Sequence, residues 1–305
     1  MNTLSQDFAP KPLWRTIWDF PLVAMLVSLA VFALLMGLIG LGLTAAPLGL
    51  DEKSGPLVMA VIASLAVILL VKLLVSRLGD NPRDDLPWAG AIRPLLVGIG
   101  GSALLMTIIV AFTALLGGYV ITGWGGASSW LWLLLMAGLQ AAVVEEFLFR
   151  GVLFRFLEEF GGSWFALALT SALFGYVHIT NDNATWVGSL GIALEAGIML
   201  GAAYMVSRSL WLPIGIHFGW NVTQGLVWDV PVSGHDIDGI VEAKAVGPEL
   251  VSGGAFGLEA SVVAMVLAFL VGGYLTWLAW QRGQFMRPWW TRRRMARQMR
   301  EGLPA

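Results

Sequence analysis

Six side chains able to do chemistry lie within strongly apolar sequence: Glu145, Glu146 and Arg150 in VVEEFLFRG, His178 in LFGYVHIT, and His217 and Asn221 in IGIHFGWN. A charge at the centre of a membrane-spanning helix costs about 2.5 to 3.5 kcal/mol on insertion scales, so ionisable residues in such a setting are functional candidates. A carboxylate and an imidazole that converge on one water can make it a nucleophile by general-base catalysis. A second imidazole and a carboxamide can donate hydrogen bonds to the oxyanion of a tetrahedral intermediate, worth roughly 2.7 to 4 kcal/mol per donor. Together the set describes hydrolysis of an amide.

Spacing sharpens this reading. Glu146 and Arg150 are four residues apart and share a helix face, where they can neutralise each other. Glu145 is rotated about 100° from Glu146 by the 3.6-residue repeat and faces a different neighbour. Alone, that motif reads equally well as a structural ion pair with a spare carboxylate. His217 and Asn221 also share a face, and both need partners in a dry interior. A single histidine in a span is commonly a hydrogen-bonded core residue. The argument rests on all three motifs falling in neighbouring spans, in a chain with only 3 histidines.

The elements that must position these groups are membrane helices. Of 305 residues, 57% are hydrophobic and only 12% charged, with mean hydropathy +0.77; a soluble domain carries roughly a quarter charged residues. A hydrocarbon core needs about 20 apolar residues, and eight segments qualify: 21–45, 55–76, 94–120, 129–155, 164–180, 187–207, 211–229 and 259–281. The expected fold is an all-α, polytopic membrane helix bundle of about eight transmembrane helices. It forms one membrane domain over 1–305, with a core at 129–229 and a basic tail at 282–305. The fourth to seventh spans should enclose a polar cavity open to the cytoplasmic side or to lipid. The first twenty residues are too polar and too poor in basic residues to begin a signal peptide, so the first span is expected to persist.

Eight spans put sixteen Lys and Arg, Arg150 among them, on one side and only Lys53 and Lys244 on the other. By the positive-inside rule both termini are cytoplasmic, in an inner or plasma membrane. The loop from 230 to 258 is acidic, through Asp229 at its edge, Asp236, Asp238, Glu242 and Glu249, while the tail carries Trp289 and Trp290 beside an arginine cluster. That tail reads either as an anchor on anionic headgroups or as a simple topology determinant; no nucleic-acid partner is expected. His235, Asp236 and Asp238 could form a cation cluster, but a solvated acidic loop is the better reading. Gly98, Gly100 and Gly101, and the Gly197/Gly201 pair, read as close helix packing. The absence of cysteine removes disulfides, thiolate metal sites and cysteine nucleophiles.

Glu145-Glu146-Phe-Leu-Phe-Arg150, Phe174-xxx-His178 and His217-xxx-Asn221, in that order, resemble the CPBP intramembrane proteases, which include the type II CAAX prenyl endopeptidases and the bacterial Abi proteins. The resemblance covers residues 129 to 229. It implies that Glu145 activates water with His178 as partner, that His217 and Asn221 stabilise the oxyanion, and that Glu146 and Arg150 hold the helix and tune the site. Metal-dependent and metal-free chemistry are both compatible with it. If a metal such as zinc is present, Glu145, His178 and His217 would hold it with one position open. The implied partners are a protein or peptide substrate at the membrane, and the bilayer.

Other protease classes lack their residues here. No His-Glu-x-x-His occurs, no Gly-x-Ser-x-Gly turn lies within the spans, and the clear aspartates fall in loops. The rival function is a proton-coupled transporter or a catalytically silent scaffold using the same buried groups. A transporter of that kind is expected to show repeat symmetry and broken helices, and the sequence shows neither.

Overall fold

The hydropathy pattern becomes helix over 74% of the chain. The computed structural model describes residues 12–44, 51 and 54–301; Lys11 and Lys53 of the charge tally lie outside these. Among the described residues, seven helices are long and apolar enough to cross a membrane. They are α1 (Pro21–Leu41), α2 (Ser54–Arg77), α3 (Ile92–Leu115), α4 (Trp130–Gly161), α5 (Ser163–Thr180), α6 (Trp186–Ser207) and, after α7, α8 (Val262–Gln281). The expected seventh span is the shorter α7, made of Trp211–Val222 continued by a π-helical turn, Thr223–Val227. At about 1.5 Å per residue it is roughly 25 Å long, less than the hydrocarbon thickness of about 30 Å. It can be short because it hardly meets lipid: most residues of its α-helical part, from Trp211 to Asn221, are buried.

α7 still runs the length of the bundle. Arg208, just before it, donates to Glu158 and to the Gln284 carbonyl at one face. Asp229, just after it, accepts from Gly239 N at 2.8 Å and Ala243 N at 2.9 Å at the other. The chain therefore traverses the bundle eight times.

α7 packs along α3 more extensively than any other two elements pack together. Glycine makes that approach possible. A Cβ on Gly215 would stand 2.3 Å from the Leu95 carbonyl oxygen, and one on Gly219 would stand 2.4 Å from Ser102 Oγ. Gly98 faces the same seam, whereas a Cβ on Gly100 or Gly101 would meet nothing within 4 Å, so only the first of the three serves the close packing expected of them. Because the obstruction at Gly215 is backbone, Gly215→Ala should push α7 away. The expected cost is about 1 to 3 kcal/mol, as for other overpacked sites, seen as a lower unfolding temperature in detergent. Gly100→Ala should melt like the wild type.

One end of the bundle is held by charge. Arg155, fully buried, donates to Asp85 Oδ2 at 2.9 Å and to the carbonyls of Arg83, Leu78 and Asn81. Arg83 spans Asp85 Oδ1 at 2.8 Å and the Tyr204 hydroxyl at 2.7 Å. α9 (Trp289–Glu301) lies against this end through Phe20–Trp289 and Phe160–Trp290 ring contacts, and Arg292 donates to Asp80 at 3.1 Å. The loop around Arg83 and the basic tail thus share a face. Arg150 does not belong with them: it is 1% exposed, inside the bundle and paired with Glu146, which corrects its place among the flanking charges.

The opposite end adds one short two-stranded sheet to the all-α bundle. Here β1 (Tyr119–Trp124) pairs antiparallel with β2 (Val241–Ala245), with an irregularity between Ile121 and Gly123. Asp238 accepts from Gly126 N, Ser128 N and Ser128 Oγ, and these bonds hold its carboxyl below the usual range. It therefore ties two loops together, and among the described residues no three His, Asp or Glu side chains are grouped to hold a metal ion there or elsewhere.

Candidate active site

α4 carries both glutamates on an α-helical turn, Ala141–Glu146, between two π-helical stretches, Leu133–Gln140 and Phe147–Phe154. Two more π-helical turns occur, Ala193–Gly197 in α6 and Thr223–Val227 in α7. Widened turns of this sort concentrate at functional sites, and here all four flank or contain site residues.

Glu146, with no exposed surface, is the hub. Its Oε1 accepts from Arg150 Nη1 at 3.0 Å and from His217 Nδ1 at 2.9 Å. Arg150 Nη2 donates to the carbonyls of Ala196 and Gly197, each at 3.2 Å, and its guanidinium lies 4.5 Å from the centroid of the Phe174 ring. One buried cation therefore ties α4 to α5, α6 and, through Glu146, α7. Breaking such a pair leaves an uncompensated charge, at about 3 to 5 kcal/mol.

The other four residues line a single cavity of about 450 Å³: Glu145 from α4, His178 from the end of α5, and His217 and Asn221 from α7. His178 Nδ1 stands 2.6 Å from the Phe174 carbonyl oxygen. A carbonyl only accepts, so Nδ1 holds a proton and Nε2 is the nitrogen that bears the lone pair of the neutral ring. His217 Nδ1 likewise faces a carboxylate, which leaves its Nε2 unengaged by Glu146. Asn221 Nδ2 donates to the Ala137 carbonyl at 2.8 Å, using one of two amide hydrogens. Glu145 Oε2 is buried with no hydrogen-bond partner. A side pocket of about 30 Å³, lined by His178, His217, Asn221, Ser233 and Glu259 among others, has room for a water.

Glu146 and Arg150 stand outside that lining. The zinc set expected from the sequence, Glu145, His178 and His217, shares the cavity.

Asn181, Ser233 and His235 also line the cavity, and they belong to the end that carries the acidic loop, remote from the basic face. The sequence alone places His235 in a solvated loop. It is exposed, but its ring lies against Trp132, 5.3 Å between centroids, at the cavity wall.

Two carboxylates escape a reading of the sequence. Glu195, in α6, is fully buried with neither carboxylate oxygen hydrogen-bonded; the insertion-cost argument that singles out Glu145 applies equally to it. Glu259 accepts from Gln224 Nε2 at 2.6 Å, Ser233 N at 3.2 Å and Ser233 Oγ at 3.3 Å, and so anchors the loop that walls the cavity. Nothing local in its sequence signals that role.

Burial pushes Glu259 up to about 7, against its hydrogen bonds from Gln224 and Ser233. A carboxyl whose folded value lies above the unfolded one favours folding while it is protonated in both states; that stability is lost as pH rises from the ordinary carboxyl value through about 7. Wild-type protein should therefore lose thermal stability between pH 5 and 8, and Glu259→Gln should flatten that slope. Parallel slopes in melting curves across this range would contradict the assignment.

Residues 127–223 match the family model described as Rce1-like, type II CAAX prenyl endopeptidase Rce1-like. This is the family that the three motifs resemble, and the matched segment holds all six residues read from sequence. No curated protein and no solved structure matches the chain. Residues 127–223 are thus similar to CAAX-type intramembrane proteases, and they lie in an integral membrane helix bundle.

Proposed function

We propose that the protein is an intramembrane endopeptidase in which Glu145, with His178, activates a water that attacks a peptide carbonyl. The observation that carries this reading is that Glu145, whose Oε2 has no hydrogen-bond partner, lines the cavity that His178, His217 and Asn221 also line. A carboxylate so placed has its lone pair available for a water proton, and His178 Nε2 offers a second acceptor. The attack forms the tetrahedral intermediate. The second amide hydrogen of Asn221 can meet its oxyanion, and His217 Nε2 can do so when it carries a proton. Return of the proton to the leaving amine completes the cleavage.

Arg150 and Glu146 act through His217 and through the seating of α6. The substrate is a polypeptide reached at the membrane, and the protein resides in the cell membrane with its basic face in the cytoplasm.

A second arrangement has one observation in its favour. Glu146 orients His217 by its Nδ1, as an acid orients the base of a hydrolytic triad, which would make His217 Nε2 the base. Mutation of the two glutamates separates the readings. The test of function is a proteome-derived peptide library incubated with protein in liposomes. New peptide termini should appear with wild type and not with Glu145→Gln; an uncut library would return preference to a silent scaffold or a transporter.

A further inference from the structure

We propose that the cavity takes its substrate from the extracytoplasmic side, as an uncharged or basic stretch of polypeptide. The peptide chemistry rests on the function proposed above; the sidedness rests on geometry alone.

The cavity and the basic face occupy opposite ends of the bundle. Among the described residues, every Lys and Arg except the interior Arg150 and Lys244 lies at or beyond the end where Arg155, Arg208 and Arg292 bond the Arg83 loop and the tail. Lys and Arg concentrate on cytoplasmic loops, so that end is cytoplasmic. α5 starts there, with Ser163 bonded to Glu158 and Met286, and it delivers His178 at its far end. Glu145 lies fifteen residues into α4, about 22 Å along the axis from Trp130 at about 1.5 Å per residue. From Glu145 the lining runs back through Ala141, Ala137 and Met136 to Trp132, and ends at Ser233 and His235 in the acidic loop.

The path in the other direction is closed. Below the glutamates, Phe147, Val152 and Phe154 of α4 pack with Leu210, just before α7, and with Trp211 and Ile214 of α7 in one buried apolar cluster, and above it Arg150 is bonded across to the Ala196 and Gly197 carbonyls of α6 and Glu146 to His217 of α7. A substrate arriving from the cytoplasm would have to pass both.

Charge narrows the substrate class. No Lys or Arg lines the cavity, so no permanently charged side-chain cation is present to receive a terminal carboxylate or an acidic residue. The face around its mouth carries Asp182, Asp236 and Glu242, which repel anionic segments and attract cationic ones.

The chain has no native cysteine, so single cysteines report access directly. Full-length His235→Cys, Met136→Cys and Gln281→Cys are expressed separately and treated with a membrane-impermeant maleimide in intact spheroplasts and again after permeabilisation. His235→Cys and Met136→Cys should label in intact spheroplasts, and Gln281→Cys only after permeabilisation. Labelling of His235→Cys only after permeabilisation overturns the orientation. Labelling of His235→Cys but not of Met136→Cys in intact spheroplasts, with Met136→Cys reactive after permeabilisation, overturns the open path from that side. Neither result depends on proteolysis, so a protein that labels as expected but cuts nothing would sink the enzymatic reading and leave the sidedness intact. For the charge preference, cleaved peptides flanked by Lys should exceed their Asp-flanked counterparts several-fold in kcat/KM. Equal values would overturn that part.

Discussion

Glu145→Gln is expected to abolish proteolysis while leaving the fold intact. The substitution keeps volume and hydrogen-bonding capacity but removes the base, a contribution of typically 10²- to 10⁴-fold in rate. Glu145 makes no ion pair among the described residues and its Oε2 has no hydrogen-bond partner, so neutralising it breaks no direct bond between helices. The melting temperature should therefore stay near that of the wild type, or rise. A variant that cuts at the wild-type rate would shift preference to a scaffold or a transporter.

Glu146→Gln should behave differently, because Glu146 is the counter-charge of a fully enclosed arginine. An amide oxygen can still accept from both Arg150 and His217, but it cannot neutralise the guanidinium between Phe174 and the Ala196 and Gly197 carbonyls. A loss of about 3 to 5 kcal/mol is expected, seen as poor yield and a lower unfolding temperature. Activity per folded molecule should fall too, because a neutral amide holds the His217 ring less firmly than the carboxylate does. Pairing Glu146→Gln with Arg150→Met, which removes the orphaned charge, should recover stability without recovering activity. If Glu146→Gln were stable and inactive while Glu145→Gln remained active, the roles of the two glutamates would be exchanged and His217 would be the base.

The parts of this arrangement legible in the sequence are those governed by solvation and short spacing. Long apolar runs mark the spans because a bilayer cannot satisfy free backbone groups, and the four-residue separations of Glu146/Arg150 and His217/Asn221 mark shared helix faces. The bond from Glu146 to His217 joins residues 71 apart in the chain, and no local rule finds it. The π-helical turns are equally silent, since a register change in a hydrogen-bond ladder leaves the composition unchanged. α7 shows how burial relaxes a length requirement that applies only to helices facing lipid. The strands β1 and β2 escape notice because each is only five or six residues long and is held by pairing to a segment more than a hundred residues away. Glu195 and Glu259 are visible as letters, but only packing reveals that one is sealed in α6 and the other holds Ser233 at the cavity wall.

The central claim is that Glu145 activates the attacking water. It is tested most directly by reconstituting wild type, Glu145→Gln and Glu146→Gln in liposomes, and following one cleaved library peptide by mass spectrometry of its new termini, normalised to folded protein. The account predicts steady cleavage by the wild type and none above background by Glu145→Gln at unchanged melting temperature. Wild-type cleavage rates in folded Glu145→Gln would contradict it.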